Sequence, residues 1–193
     1  MFTGIVSAIG TVVEAGSGRL AIENAGTAKR LSIGASVAVN GCCLTVVRKT
    51  GAKFSMDVVP ETLRRTALGS VTPGARVNLE LPLAVDGLLD GHLVQGHVDA
   101  TGRVVRVAAT AAGHEVTVEL PADLRDFIVE KGSIAVDGVS LTVAAVDDQA
   151  GSFTVALIPH TLAVTIAGEY KEGTVVNLEA DIVARYVARN LRR

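Results

Sequence analysis

Tryptophan is absent, and only two tyrosines and four phenylalanines occur among the 193 residues. At 3% aromatics there are too few rings for the stacking platforms that hold single-stranded nucleic acid. Charge of one sign is missing too, because 18 basic and 20 acidic residues leave a formal net charge of −2. That balance gives no electrostatic basis for nucleic acid or an anionic membrane as a partner. No stretch approaches the roughly 18 consecutive apolar residues of a membrane span. The N-terminus lacks a basic region followed by an apolar run, so no secretory leader is expected. The two cysteines, Cys42 and Cys43, are neighbours. An adjacent pair does not close an ordinary disulfide and does not have zinc-ligand spacing. His92, His97, His114 and His160 have no metal-binding spacing either. P-loop, dinucleotide and nucleophile-elbow patterns are likewise lacking. A soluble cytoplasmic protein is expected, without metal catalysis.

What is present is apolar residue and repetition. Hydrophobic residues make up 49% of the chain, enough for a buried core. Phe2 to Val13 read FTGIVSAIGTVV and Val94 to Val105 read VQGHVDATGRVV, aligning Gly4 with Gly96, Val6 with Val98 and Gly10 with Gly102. Ser36 to Val46 (SVAVNGCCLTV) match Ser133 to Val143 (SIAVDGVSLTV). Phe54, Pro60, Thr62, Leu63 and Thr66 recur as Phe153, Pro159, Thr161, Leu162 and Thr165. Gly74 to Glu80 recur as Gly173 to Glu179. Four blocks in one order mark a tandem duplication of a unit of about 95 residues.

Each unit reads as β. Short apolar or alternating runs are separated by Gly, Asn, Pro and Asp. Asn40-Gly41 and Asp137-Gly138 are the strongest hairpin signals, since both pairs tolerate positive φ. Short strands without protected edges close most naturally into a small barrel. The expected fold is therefore all-β: a duplicated six-stranded antiparallel Greek-key barrel with an added C-terminal α-helix. The N-terminal barrel is expected over 1–92, the C-terminal barrel over 93–182 and the helix over 183–193. Ile182, Val183, Tyr186, Val187 and Leu191 recur at helical spacing. That apolar face fits packing on another subunit and packing on the chain's own barrels equally well. Pro60 to Thr66 and Pro159 to Leu162 begin with proline and read as short helical turns.

Differences between the copies point to divided roles. Cys43 faces Ser140 in the alignment, Ile5 faces His97, Pro82 faces Asp181 and Glu61 faces His160. Cys43 and Ser140 fit small residues after a turn as well as groups beside a ligand. His97 fits a surface histidine or, next to Gly96, a proton carrier near a bound ligand. Asp181 fits a helix cap, and Glu61 and His160 fit turn caps.

The opening Met1-Phe2-Thr3-Gly4-Ile5-Val6, NGCCLTV at Asn40 to Val46, GHLVQGHVD at Gly91 to Asp99 and DGVSLTV at Asp137 to Val143 together resemble the riboflavin synthase family of the trimeric, two-barrel type. The likeness runs from Met1 to about Tyr186. It implies conversion of two molecules of 6,7-dimethyl-8-ribityllumazine into riboflavin and 5-amino-6-ribitylaminouracil, by transfer of a four-carbon unit and with no cofactor. It also implies a homotrimer joined by the C-terminal helix, an active site between barrels of neighbouring subunits and association with lumazine synthase. One pocket is implied at Gly4, Ile5, Val6, Cys43, Leu44 and Thr45, walled by Asp57, Val58, Val59, Pro60, Glu61 and Thr62. The other is implied at Gly96, His97, Val98, Lys131, Ser140, Leu141 and Thr142, walled by Ala156, Leu157, Ile158, Pro159, His160 and Thr161. His97, Ser140 and Thr142 are expected to move protons or place the group that adds to the acceptor. Cys43 is expected to orient the other substrate, Asp181 to assist at the shared interface and Phe2 to pack on the bound ring. The segment Leu81 to Asp90 is less basic than the likeness leads one to expect. The rival readings are a binding module with one working pocket and the flavin barrel of an oxidoreductase, which the missing nucleotide fingerprint disfavours.

Overall fold

The computed structural model describes residues 1–191. Twelve strands form two closed barrels of six. In the first, β1 (Ala8–Gly16), β2 (Arg19–Glu23), β3 (Ser36–Val39), β4 (Cys42–Thr50), β5 (Lys53–Asp57) and β6 (Arg76–Glu80) close in the order 1-2-5-4-3-6. In the second, β7 (Ala100–Thr110), β8 (Gly113–Glu119), β9 (Ser133–Val136), β10 (Val139–Asp147), β11 (Ser152–Leu157) and β12 (Val175–Ala180) repeat that circular order strand for strand. All pairings are antiparallel, so closure leaves no free edge. Even the bulges recur, at Val12/Glu14 and Val104/Arg106, and at Val46/Arg48 and Val143/Ala145. Bulges of this kind bend a strand enough to turn a barrel corner.

The strand pattern follows from side-chain alternation. Val37, Val39, Val46, Phe54 and Met56 fill the first interior, and Ile134, Val136, Val143, Phe153 and Val155 fill the second. With no tryptophan available, one fully buried phenylalanine per barrel supplies the large core side chain. The two hairpins behave as their sequences require, with Asn40 and Gly41 at φ 45° and 75° and Asp137 and Gly138 at 45° and 76°. Four short α-helices, α1 (Ala25–Arg30), α2 (Pro60–Arg65), α3 (Pro159–Val164) and α4 (Ile182–Leu191), and 3₁₀ turns at Ala67–Ser70, Ala122–Phe127 and Ile166–Glu169 complete the described chain. Arg192 and Arg193, the end of the expected terminal helical segment, lie outside the described residues.

The barrels meet through their two hairpin turns. A methyl group on Gly41 would lie 2.6 Å from the Gly138 nitrogen, so the turns pack backbone to backbone. Buried Asn78 donates to the Asp137 carbonyl (2.9 Å), and buried Asn177 donates to the Asn40 carbonyl (2.8 Å). Their side-chain oxygens accept from Ile166 N (2.9 Å) and Ala67 N (2.7 Å). This polar network is satisfied at each asparagine, which fixes one arrangement of the two halves. It is asymmetric at one point. Asp137 stands where the first half has Asn40, and Tyr170 Oη, whose place the first half fills with Val71, donates to Asp137 Oδ2 at 2.8 Å.

Burial pushes the Asp137 carboxyl up to about 7, against the bonds from Asn177 N and Tyr170 that favour its charge. The folded pKa is raised, so the protonated form belongs to the fold. Its stabilisation is complete below the unfolded pKa of about 4 and is lost as pH rises toward about 7. The Tm of the wild type is therefore expected to fall relative to Asp137→Asn as pH rises from about 4 to 7. Parallel Tm curves for the two would show that Asp137 is charged throughout.

Candidate functional site

The chain outside the strands positions the chemistry. The N-terminal segment and the segment before β7 lie side by side, with Phe2 and Val94 exchanging both backbone bonds (2.7 and 3.1 Å). From that bridge each segment crosses to the opposite barrel. The Gly4 carbonyl accepts from Ser140 N (2.7 Å) on β10, and the Gly96 carbonyl accepts from Cys43 N (2.8 Å) on β4. This corrects the expected grouping. The Gly4 opening lies against Ser140 of the second barrel, and Gly96, His97 and Val98 line a pocket with Cys43 of the first. The physical reason is the bridge itself: the segments pair at the seam before entering their own barrels, so each roofs its neighbour's.

Both crossings demand glycine. At Gly96 (φ +82°) an added Cβ would lie 2.5 Å from Cys43 Cβ, and at Gly4 (φ +76°) 2.6 Å from Ser140 Cβ. Only glycine lets the backbone approach β4 and β10 this closely, and the N–H and carbonyl of both glycines are engaged by protein partners.

The first pocket is an open cavity of about 220 Å³. Cys43, Glu61, Thr62, Arg65, Gly96, His97 and Val98 are among its lining residues. Glu61 pairs with Arg64 and Arg65 on the exposed face of α2, and this holds its carboxyl below the usual range. Strand alternation separates the rest of the block. Cys43 and Thr45 turn outward, while Leu44 is buried in the barrel core together with Val58. Asp57, Val59 and Pro60 are exposed on the rim leading into α2. Burial raises the Cys42 thiol to about 12, so Cys43 is the available thiol of the pair.

In the second half, Ser140 and Thr142 turn outward and Leu141 packs on the core, with Leu157 fully inside it. Ala156, Ile158, Pro159 and His160 are exposed, and Thr161 is half-buried. Lys131 holds a left-handed φ of 65° and donates its N–H to the Val143 carbonyl (2.8 Å). The first half uses Gly34 at the corresponding place, bonded in the same way to Val46. Lysine adopts that left-handed conformation at a cost that glycine does not bear.

Two further expectations need correction. Phe2 is fully buried at the seam with Ala38, Val94 and Ala135, so it holds the barrels together and offers no face to a ligand ring. Leu44 and Leu157 give only backbone to a pocket, because period-two alternation points their side chains into the core. Asp181 caps α4 by accepting from Val183 N (2.9 Å).

Sequence reading passed over His92. It is buried beside Gly91, and its Nδ1 lies 2.7 Å from Ser140 Oγ. Among the described residues its Nε2 has no partner. Burial holds its pKa below the usual histidine value, partly offset by the Asp181 carboxylate. The signal available beforehand was that His92 opens the GHLVQGHVD block. The aligned repeat blocks open at Phe2 and Val94, so His92 lies outside the comparison.

The structure is thus a tandem pair of closed barrels whose openings are exchanged and carry unequal polar groups. Comparison with known proteins identifies the ligand class. The lumazine binding domain model matches twice, at residues 3–82 and 95–181. The chain is 47% identical over 198 residues to riboflavin synthase of Mycobacterium tuberculosis (strain ATCC 25618 / H37Rv), covering 100% of this chain and 98% of that protein. It is 39% identical over 197 residues to riboflavin synthase of Bacillus subtilis (strain 168), covering 100% and 91%. A crystal structure of LumP complexed with riboflavin superposes with TM-score 0.84 at 26% identity, over 93% of this chain and 99% of that one. The chain belongs to the riboflavin synthase family, with two lumazine-binding domains. Among the described residues no helix is long and apolar enough to cross a membrane.

Proposed function

We propose that the protein converts two molecules of 6,7-dimethyl-8-ribityllumazine into riboflavin and 5-amino-6-ribitylaminouracil by passing a four-carbon unit from one to the other. The observation that carries this reading is the pair of exchanged openings, alike in backbone and different in side chains. A reaction consuming one molecule twice needs two similar sites, and donor and acceptor need unlike surroundings. Holding both substrates turns a bimolecular encounter into an effectively unimolecular step.

In this reading the backbone beside Gly4 and Gly96 binds the pyrimidine edges, and Thr62 and Thr161 take ribityl hydroxyls. Ser140, hydrogen-bonded to a His92 kept neutral by burial, and His97 in the first pocket carry protons to and from the C7 methyl group and C7 itself. Cys43 orients the second lumazine, with Thr142 and Lys131 at the rim. Asp181 acts through His92 by its charge. The pockets of neighbouring subunits face each other in a homotrimer. Support for that assembly comes from α4, whose Val183, Tyr186, Val187 and Leu191 are exposed. An open apolar groove of about 570 Å³ runs beside them, lined by Phe127, Val129 and Leu191 among others. Two free cysteines suit the reducing cytoplasm.

Mixing the purified protein with the lumazine is expected to generate riboflavin absorbance without added metal or nucleotide. Ligand bound but unconverted would favour a carrier instead. His97→Ala is expected to lower kcat by roughly a hundredfold, the low end for a positioned proton-transfer group, with little change in lumazine affinity. Unchanged turnover would remove His97 from the mechanism.

A further inference from the structure

Two glutamates occupy the same place in the two halves, at the ends of β6 and β12, and both are buried. Glu80 Oε1 accepts from Thr3 N (2.7 Å) and Thr3 Oγ1 (2.9 Å), and its Oε2 accepts from Gly4 N (3.1 Å). Glu179 Oε1 accepts from Gln95 N (2.7 Å), and its Oε2 accepts from Gly96 N (3.0 Å). Each carboxylate therefore grips two consecutive backbone amides. Burying a carboxylate is costly, and these charge-assisted bonds are the compensation.

The segments they grip are the two openings. Neither opening belongs to a barrel ladder, and the Phe2–Val94 bridge is their link to each other. Beyond the gripped amides, the Gly4 carbonyl reaches Ser140 N and the Gly96 carbonyl reaches Cys43 N. We propose that Glu80 and Glu179 are positioning residues that act crosswise: Glu80 of the first barrel sets the Ser140 pocket of the second, and Glu179 of the second sets the Cys43 pocket of the first. This rests on the two-pocket reading above. Catalytic placement tolerates errors of only about 0.5 Å, which a free glycine segment would exceed.

The chemistry requires a carboxylate, not merely its volume. Glutamine in either place turns an NH2 donor toward a backbone N–H donor, which breaks one arm of the clasp. Acid should do the same to the wild type, since burial raises both carboxyls and a protonated one presents O–H in place of an acceptor. Glu80 faces the amides of Thr3, Gly4 and Ile5. Glu179 faces those of Gln95 and Gly96 together with Asp99, which opposes its charge, and Arg185, which favours it, and the Cys42 thiol lies nearby.

The test uses Cys43 as a local reporter of the first pocket, with Cys42 silent by burial. Alkylation of Cys43 by iodoacetamide is followed against riboflavin concentration in the wild type, Glu80→Gln and Glu179→Gln. Riboflavin is expected to protect Cys43 in the wild type and, at a similar concentration, in Glu80→Gln. Glu179→Gln should need at least tenfold more, while both variants lose turnover at least tenfold. Wild-type protection in Glu179→Gln, or equal loss in both variants, would overturn the crosswise assignment. If Glu179→Gln does not fold, Glu179→Asp decides: it keeps the charge but shortens the reach. Weakened protection there supports the clasp, and wild-type protection overturns it. An unprotected wild type would instead contradict the two-pocket reading and take this proposal with it.

Discussion

Replacing Gly96 by alanine is expected to reduce turnover at least a hundredfold, because a shift of about 1 Å in a substrate-positioning segment has effects of that order. The new Cβ would lie 2.5 Å from Cys43 Cβ and 2.8 Å from Cys43 N, at a φ of +82° that L side chains rarely adopt. Neither neighbour is the flexible end of a side chain. The opening must therefore lift off β4, breaking the 2.8 Å bond from Cys43 N to the Gly96 carbonyl. Gly4→Ala should act alike at Ser140, where the clash distances are 2.6 and 2.7 Å. Strain of this kind costs on the order of 1–3 kcal/mol, which a domain of this size can absorb while remaining folded. Steady-state kinetics with the lumazine, checked against thermal melting, separates lost activity from lost fold. A folded Gly96→Ala protein with near-wild-type kcat would contradict the placement of the opening.

Ser140→Ala and His92→Ala are each expected to lower kcat by about 10²- to 10⁴-fold, the range for a positioned proton-transfer group. The double variant should be scarcely worse than either single one, because groups that work as a unit are not additive. The 2.7 Å contact between Ser140 Oγ and His92 Nδ1 is the basis for this expectation. Burial lowers the affinity of His92 for a second proton, so the neutral ring persists below its usual pKa of about 6.5. The acid limb of kcat in the wild type should accordingly lie below that value. Strictly additive losses in the double variant would show that the two residues act separately.

Much of this architecture was legible in the chain. The repeat determined both barrels, and the Asn40-Gly41 and Asp137-Gly138 turns marked the hairpins where the barrels later prove to touch. What could not be read was the crossing. Gly4 precedes β1 in sequence, so its natural assignment was to the first barrel. Only the Phe2–Val94 pairing carries it to the second, and a single bridge between segments about ninety residues apart has no periodic signature. Phe2 was misjudged for the same reason, since an aromatic at an opening looks like a ligand platform until the seam around it is seen. Period-two alternation turns Thr45 outward and Leu44 inward, a distinction that grouping the whole Leu-Thr-Val block at the pocket does not make. His92 is not legible from the duplication, because the repeat highlights aligned residues and the aligned block opens two residues later, at Val94. The buried pair Glu80 and Glu179 is legible in the repeat, but its partners, the amides of the openings, are visible only in three dimensions.

Equilibrium titration with a lumazine analogue lacking the 7-methyl group, which cannot react, addresses the central claim most directly. Two ligand molecules per chain are expected, with one lost on Gly4→Ala and the other on Gly96→Ala. A single molecule per wild-type chain would contradict the account.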